Sequence, residues 1–417
     1  MRAPLRNLAA AVAAGLLPAA AHAGGYIVPN VDARDLALAG SAVAAQDSAA
    51  ATYANPAALA RLEGLNLSLG LGLIDFRSTW IDSANVFNAS PVTMVSKAAF
   101  PPALYAAYGL ALPRQMRLGV GAGLTIPGGG YIFWPGDWAG RNEVITVDRK
   151  VYGGYLTAGL QLFQRLRLGG GLVYYRTTEH LVQGVNFLSQ EGEIELGTSG
   201  AAFSFDASAE GTPFASVPLT LSVDYKHQGV QHLSGHAHGV DVPLPLRPSL
   251  LDQQVTHTLT YPNQLNVGAS YRAPVIPLLV TAGFTWERFH VYEQDAFVGD
   301  RGVSVVVPRE YRNGYTFRLG GEVQALPRLK VRAGVLRDVS PSRTDTLNPS
   351  LPDSSAIAVS LGIGYRVLPD LEIDAAYFHA FYDSITATGL EAFPGTYQTR
   401  ANIYALNLAW KLPQRQQ

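Results

Sequence analysis

The chain reads as an all-β protein, a transmembrane antiparallel β-barrel of about 14 strands with an N-terminal, partly helical hatch plugging the lumen. Three observations predict this. The N-terminus has the parts of an export signal, period-two alternation runs from about Leu65 to the C-terminus, and the links between strands sort into short and long by parity.

Export comes first along the chain. Arg2 and Arg6 precede an apolar run from Leu8 to Leu17, a helix-breaking Pro18, and the small-residue pattern Ala21-His22-Ala23. This is a secretory signal over residues 1–23, with cleavage predicted before Gly24. The run is too short for a membrane anchor, which needs about 20 apolar residues. The absence of cysteine removes both a lipoprotein acylation site and a disulfide framework.

Composition narrows the class. Removing Arg2 and Arg6 with the leader leaves 29 basic against 32 acidic residues, a balance that offers nothing to nucleic acid. Charged residues make up only 15% of the chain while Gly reaches 42 and Tyr 20, unlike a soluble enzyme of this length. No apolar stretch after Gly24 is long enough to span as a helix. A mature chain in a membrane must therefore close a barrel, because only helices and closed barrels satisfy every backbone group in lipid.

The strands follow. Tyr315, Phe317, Leu319 and Val323 alternate with Thr316, Arg318, Gly320 and Glu322, the first set facing lipid and the second the lumen. The last strand places Tyr404, Leu406, Leu408, Trp410 and Leu412 on one face. A soluble β-sandwich also alternates, so the links carry the distinction. Strands read at 65–80, 97–112, 116–126, 143–163, 166–182, 196–210, 217–228, 262–273, 277–293, 311–325, 328–337, 354–367, 371–382 and 398–412. Between them, Pro113–Gln115, Gln164–Arg165, Gly211–Ser216, Pro274–Val275 and the turns at Pro327 and Pro369 are tight, and the intervening links are mostly longer. Short periplasmic turns opposite long external loops are a membrane-barrel feature. Tyr152, Tyr155, Trp286, Tyr311, Tyr382 and Trp410 are candidates for the aromatic girdles. Many barrels of this kind end on an aromatic residue, whereas this barrel, read over 65–412, ends in the polar tail 413–417.

Residues 24–64 do not alternate. They are Ala-rich, with helix-like pieces around Ala33–Gly40 and Pro56–Leu62, too long for a leader and too short for a separate domain. The segment fits a hatch folded inside the barrel; a mobile periplasmic arm is the alternative. Within it, Gly40 to Leu59, and above all the triplet Asn55, Pro56, Ala57, resembles the N-terminal hatch signature of the FadL/TodX family of outer-membrane transporters. Trp138 to Arg141, Arg332 to Pro341 and Pro349 to Asp353 agree with the same family, so the resemblance covers essentially the whole mature chain. Asn55 and Pro56 also read as the N-cap and first residue of a short helix, so that the cap would fix the hatch fold.

The resemblance implies uptake of long-chain fatty acids or related hydrophobic compounds, and a kink in the third strand that opens the wall sideways. The candidate kink is Thr125, Ile126, Pro127, Gly128, Gly129 and Gly130, where Pro lacks a ladder donor and Gly admits unusual backbone angles. An ordinary external turn fits the same residues. Val185, Phe187 and Leu188 in one long loop, and Val242, Leu244, Leu246, Leu250 and Leu251 in the next, are apolar where solvated loops are not, and exposed apolar clusters mark binding sites. In the family these loops form a surface groove for the ligand; here they could instead pack on each other to close the barrel top.

His227, His232, His236 and His238 fall on the fourth loop without a fixed carboxylate or thiol, so no metal is assigned. Lumen-facing charges such as Asp224, Lys226, Arg318, Glu322, Lys330, Arg332, Glu372 and Asp374 are expected to pair across strands. The expected function is passive transport by a monomer in contact with outer-membrane lipids, without cofactor or catalysis, because no nucleophile motif or acid–base constellation is present. A lipase-type barrel, a general porin and an adhesin are the alternatives.

Overall fold

The structure, a computed structural model, describes residues 25–250, 252–301 and 304–412. The export leader 1–23, the tail 413–417 and Leu251 lie outside the described residues.

β1 (Gly64–Ile81) leads through a short β2 (Val92–Thr93) to β3 (Pro102–Ala111), β4 (Arg117–Phe133), β5 (Thr146–Phe163), β6 (Leu166–Asn186) and β7 (Glu191–Gly211). The next four staves are each broken in two. They are β8 (Leu219–Lys226) with β9 (Gly229–Val240), β10 (Asp252–Tyr261) with β11 (Gln264–Arg272), β12 (Leu278–Glu287) with β13 (Gln294–Gly299), and β14 (Ser304–Pro308) with β15 (Gly314–Leu326). β16 (Leu329–Val339), β17 (Ala356–Leu368), β18 (Leu371–Tyr382), a short β19 (Ile385–Thr386) and β20 (Thr396–Leu412) complete the order.

Every pairing is antiparallel, and β20 closes the ring on β1 from Leu65↔Leu412 to Ile81↔Thr396, giving a closed barrel of 14 strands. Closure removes the sheet edges that lipid could not satisfy. β7 bridges the first broken stave, pairing Asp206–Gly211 with β8 and Glu193–Ser199 with β9. The first three breaks are stitched by Asn263, whose Oδ1 accepts from Gln228 N at 2.6 Å and whose carbonyl accepts from Arg288 N at 3.0 Å.

Burial runs opposite to that of a soluble sandwich. In β1 the polar Asn66 and Ser68 are buried while Leu69 and Leu71 are 48% and 54% exposed. Such an apolar outer belt around a polar interior suits hydrocarbon on the outside. The inward charges pair as their cross-strand placement predicts. Lys226 lies 2.6 Å from Asp206 and 3.1 Å from Asp224, and Arg332 bonds Glu322 at 2.7 Å, Glu372 at 2.9 Å and Asp374. Arg34, from the segment before the barrel, joins Glu322 at 3.0 Å.

That segment lies inside the ring. Ala33–Ala37 rests on β16, β17, β18 and β20, Ala42–Ala45 on β8, β11 and β12, and Pro56–Arg61 on β3 to β7. Asp32 caps the first helix by accepting from Asp35 N at 3.2 Å. Gly64 is the first residue of β1, not the last of the preceding segment.

Several strands run further than their alternation suggested. β4 extends to Phe133, and β6 and β7 reach Asn186 and Glu191, leaving a link of only 187–190. Residues 229–261, read as a loop, form the hairpin β9–β10, because Gly229↔Tyr261 through His238↔Asp252 stay in register. Of the girdle candidates, Trp410 is outward and donates Nε1–H to Asp370 at 2.9 Å. Tyr155 and Tyr311 are buried instead, in an interior aromatic cluster.

Candidate functional site

Pro56 opens a 3-10 turn, its missing N–H costing nothing at that position. Asn55 does not cap it. Its side chain donates to the carbonyl of Val43 at 2.9 Å and to Glu210 Oε2 at 3.1 Å, tying the segment to itself and to β7. Both bonds come from Nδ2, and they hold the amide so that Oδ1 accepts no N–H of the turn. Ala57 N donates to Ser208 Oγ at 2.8 Å. The approach is so close that a Cβ on Gly159 would stand 2.3 Å from the Pro56 carbonyl, and one on Gly169 2.2 Å from Ala57 N.

The kink candidate is not a turn, because β4 passes through it. Against β5, Thr125 pairs with Gly153 and Gly128 with Val151, so β4 carries one extra residue at Ile126–Pro127, a β-bulge. Against β3, pairing stops at Ala103↔Thr125. Above that point residues 99–101 continue along β1, with Ile74 N donating to Ala99 O at 2.9 Å, and the next bond to β4 is Val95 N to Phe133 O at 2.7 Å. Among the described residues no backbone bond joins 96–101 to 126–132, which leaves a window in the wall. On its inner side the N-terminal stretch pairs with β4: Val28 N donates to Pro127 O at 3.0 Å and Gly129 N to Tyr26 O at 2.7 Å.

A cavity of about 470 Å³ fills this region. Ile74, Phe76, Phe378 and Ile403 line it from the inward faces of their strands, and Ile27 and Val28 from the N-terminal stretch. Tyr131, Lys150 and Tyr152, on the outward faces of β4 and β5, line it as well, so it runs through the wall. None of the inner-face apolar residues was singled out in the sequence. Their signal is apolar residues on both faces, as in Leu73-Ile74 and Tyr377-Phe378, where the alternation below is apolar against polar.

Three charged residues border the cavity. Lys150 faces outward and pairs with Asp148 at 2.7 Å. Arg149 faces inward, but each nitrogen is engaged: Nε with Glu179, Nη1 with Tyr292 Oη at 3.0 Å and Nη2 with Asp295 at 3.0 Å. Asp353, in the loop after β16, accepts from Gly25 N at 2.8 Å and Ser340 Oγ at 2.5 Å, and burial pushes its carboxyl up to about 7.

The two candidate groove loops meet at one corner of the barrel top, where Gln190 Nε2 donates to Asp241 O at 2.5 Å. Leu188 and Leu244 are 98% and 75% exposed, Leu246 is exposed, Phe187 is half-buried, and Val242 is buried. Val185 and Leu250 pack on the cluster of Ile194, Leu196 and Phe297. The histidines are not gathered: His232, His236 and His238 alternate along β9 and each bonds its cross-strand neighbour, Thr258, Gln254 or Asp252. No group of metal-ligating side chains occurs among the described residues.

A closed barrel with a wall-spanning apolar cavity defines an outer-membrane channel for apolar solutes. The family model for outer membrane protein transport protein (OMPP1/FadL/TodX) matches residues 14–411, and the chain belongs to that family of outer-membrane transporters for hydrophobic compounds. Solved structures with the same fold include a Pseudomonas aeruginosa FadL homologue, at 19% identity and TM-score 0.80 over 93% of this chain and 100% of that one. The P. putida toluene transporter TodX follows at 15% identity and TM-score 0.72, over 94% and 100%. Among curated relatives, the outer membrane protein NMB0088 of Neisseria meningitidis serogroup B is 29% identical over 146 residues, and the 47 kDa outer membrane protein of Pasteurella multocida 32% over 103. Those aligned stretches cover 31% and 23% of the two relatives.

Proposed function

We propose that the chain is a passive channel for an uncharged hydrophobic small molecule, which lands on the apolar loop tips, rests in the cavity and leaves sideways through the window at Ile126–Pro127. The segment ahead of β1, residues 25–63, serves as its hatch, closing the lumen to water while its first residues border the ligand. The observation that carries this reading is the cavity's lining, drawn from both faces of the wall where β3 and β4 part. A ligand on this route passes from one apolar surface to another and avoids water, where each CH₂ would lose about 0.8 kcal/mol of burial. No energy-coupling element is needed, because flux follows the gradient.

The charges support a neutral ligand over a fatty-acid anion. Each nitrogen of Arg149 already bonds Glu179, Tyr292 or Asp295, Lys150 is paired outside, and Asp353 brings no positive charge to a carboxylate. An aromatic hydrocarbon fits these surroundings better than a carboxylate.

The test is to restore the wall. Deleting Ile126 removes the extra residue of β4, and uptake of toluene and oleate is measured in cells that carry the folded variant, with folding checked by heat-dependent gel migration. The proposal expects toluene uptake to exceed oleate uptake in the unaltered protein and to fall at least about tenfold in the variant. Uptake unchanged by the deletion overturns the lateral route, and a preference for oleate overturns the neutral ligand.

A further inference from the structure

We infer that the outer rim of the window binds the phosphate of an anionic glycolipid of the outer leaflet. Tyr131 and Phe133, both outward on β4, meet edge to face with centroids 4.6 Å apart. The Lys97 ammonium stands 3.7 Å from the Phe133 centroid and that of Lys150 5.7 Å from the Tyr131 centroid. Two aromatic rings flanked by two cations therefore cross the rim, from the link before β3 to β5. Arg176 is the cross-strand partner of Tyr152 on the same outward face. It lies diagonal to Lys150, a placement that long side chains span.

The charge of this rim is unbalanced. Asp148 pairs with Lys150, whereas Lys97 and Arg176 are exposed and have no ion-pair partner among the described residues. Depth identifies the missing partner. Just below Lys150 and Arg176 stand Tyr152 and Tyr174, and below these Leu156 and Leu172, which are 64% and 60% exposed. An aromatic pair between a leucine belt and basic residues marks the headgroup level of a membrane. Cations there attract anionic headgroups, and a phosphate offers several oxygens to the cations of this rim, Lys150 on β5, Arg176 on β6 and Lys97 in the link before β3. A lipid fits better than a free anion, because its acyl chains would cover Phe100 and the leucines directly beneath. The site lies outside the barrel and stands whether or not ligand leaves by the window.

The test uses the purified full chain in mild detergent, titrated with lipid A carrying both phosphates or with its dephosphorylated form, bound lipid being counted by native mass spectrometry. The phosphorylated lipid should bind at least about tenfold more tightly. The double variant Lys97→Gln/Arg176→Gln, and separately Arg176→Gln, should lose that preference while keeping heat-dependent gel migration. An excess of inorganic phosphate should not displace the lipid. Equal binding of the two lipids by the unaltered protein, an unchanged preference in the folded variants, or displacement by inorganic phosphate would each overturn the assignment.

Discussion

Gly129 donates its backbone N–H to the carbonyl of Tyr26 at 2.7 Å, so the first described residues of the chain replace the partner that β4 loses where β3 parts from it. The bond joins the N-terminal stretch to the strand with the bulge. What holds Tyr26 therefore also covers the window from inside.

Tyr26 is held by its ring. It is buried, its hydroxyl donates to Thr260 O at 2.5 Å, and Phe289 and Tyr292 meet it edge to face at 5.5 and 5.3 Å. Tyr26→Ala should weaken docking of residues 25–28 by about 3–5 kcal/mol, the usual cost of losing a buried aromatic ring. Hydrogen exchange in that stretch should rise, while exchange in β16 to β18 stays as it was.

Asn55 acts as a bridge and not as a helix cap. A capping role would tolerate Ser or Asp; a bridge from Val43 O to Glu210 tolerates neither. Asn55→Asp should destabilise the chain by about 1–3 kcal/mol in urea unfolding, because it loses a buried donor and sets a second carboxylate beside Glu210. Stability equal to the parent's would restore the cap reading.

Gly169 tests how tightly the helical turn lies on the wall. Gly169→Val must push the Pro56–Arg61 turn off β6, since even a Cβ would sit 2.2 Å from Ala57 N. Overpacking of this kind costs about 1–3 kcal/mol. The melting temperature should fall, and proteolysis before β1 should become faster.

Arg332 is the hub of the inward charges on β15, β16 and β18. Arg332→Ala leaves Glu322, Asp374 and Glu372 short of a partner and should cost about 3–5 kcal/mol. Arg332→Lys should recover only part of this, because an ammonium cannot reproduce the fork that reaches three carboxylates.

Asp353 makes the cover over the cavity depend on pH. Its folded value of about 7 lies above the ordinary carboxylate value, so the neutral form is favoured in the packed state. That stabilisation is complete below about pH 4 and is lost as pH rises through about 7. Exchange at Gly25 and residues 351–355, corrected for the intrinsic rate, should be slower at pH 5 than at pH 8. In Asp353→Asn the difference should vanish.

Most of the barrel was legible because alternation reports which side of a wall a residue faces. The strand number and the order of short and long links follow from it directly. The misreadings have a common cause. In β9, His232, His236 and His238 face out while the inward positions hold Gln231, Gly235, Ala237 and Gly239 and only one strongly apolar residue, Leu233, so a strand above the membrane, wet outside, resembles a loop. In β4, Pro and three glycines read equally as turn or kink; only the partners of Thr125 and Gly128 show a bulge.

By itself the sequence determined a closed antiparallel barrel in the outer membrane, since period-two patterning and link length are local properties of the chain. The tertiary structure alone decided where the wall opens and what meets at the opening. Ile27, Ile74, Ile126 and Phe378 lie far apart along the chain, and only closure of β20 on β1 brings them around one cavity.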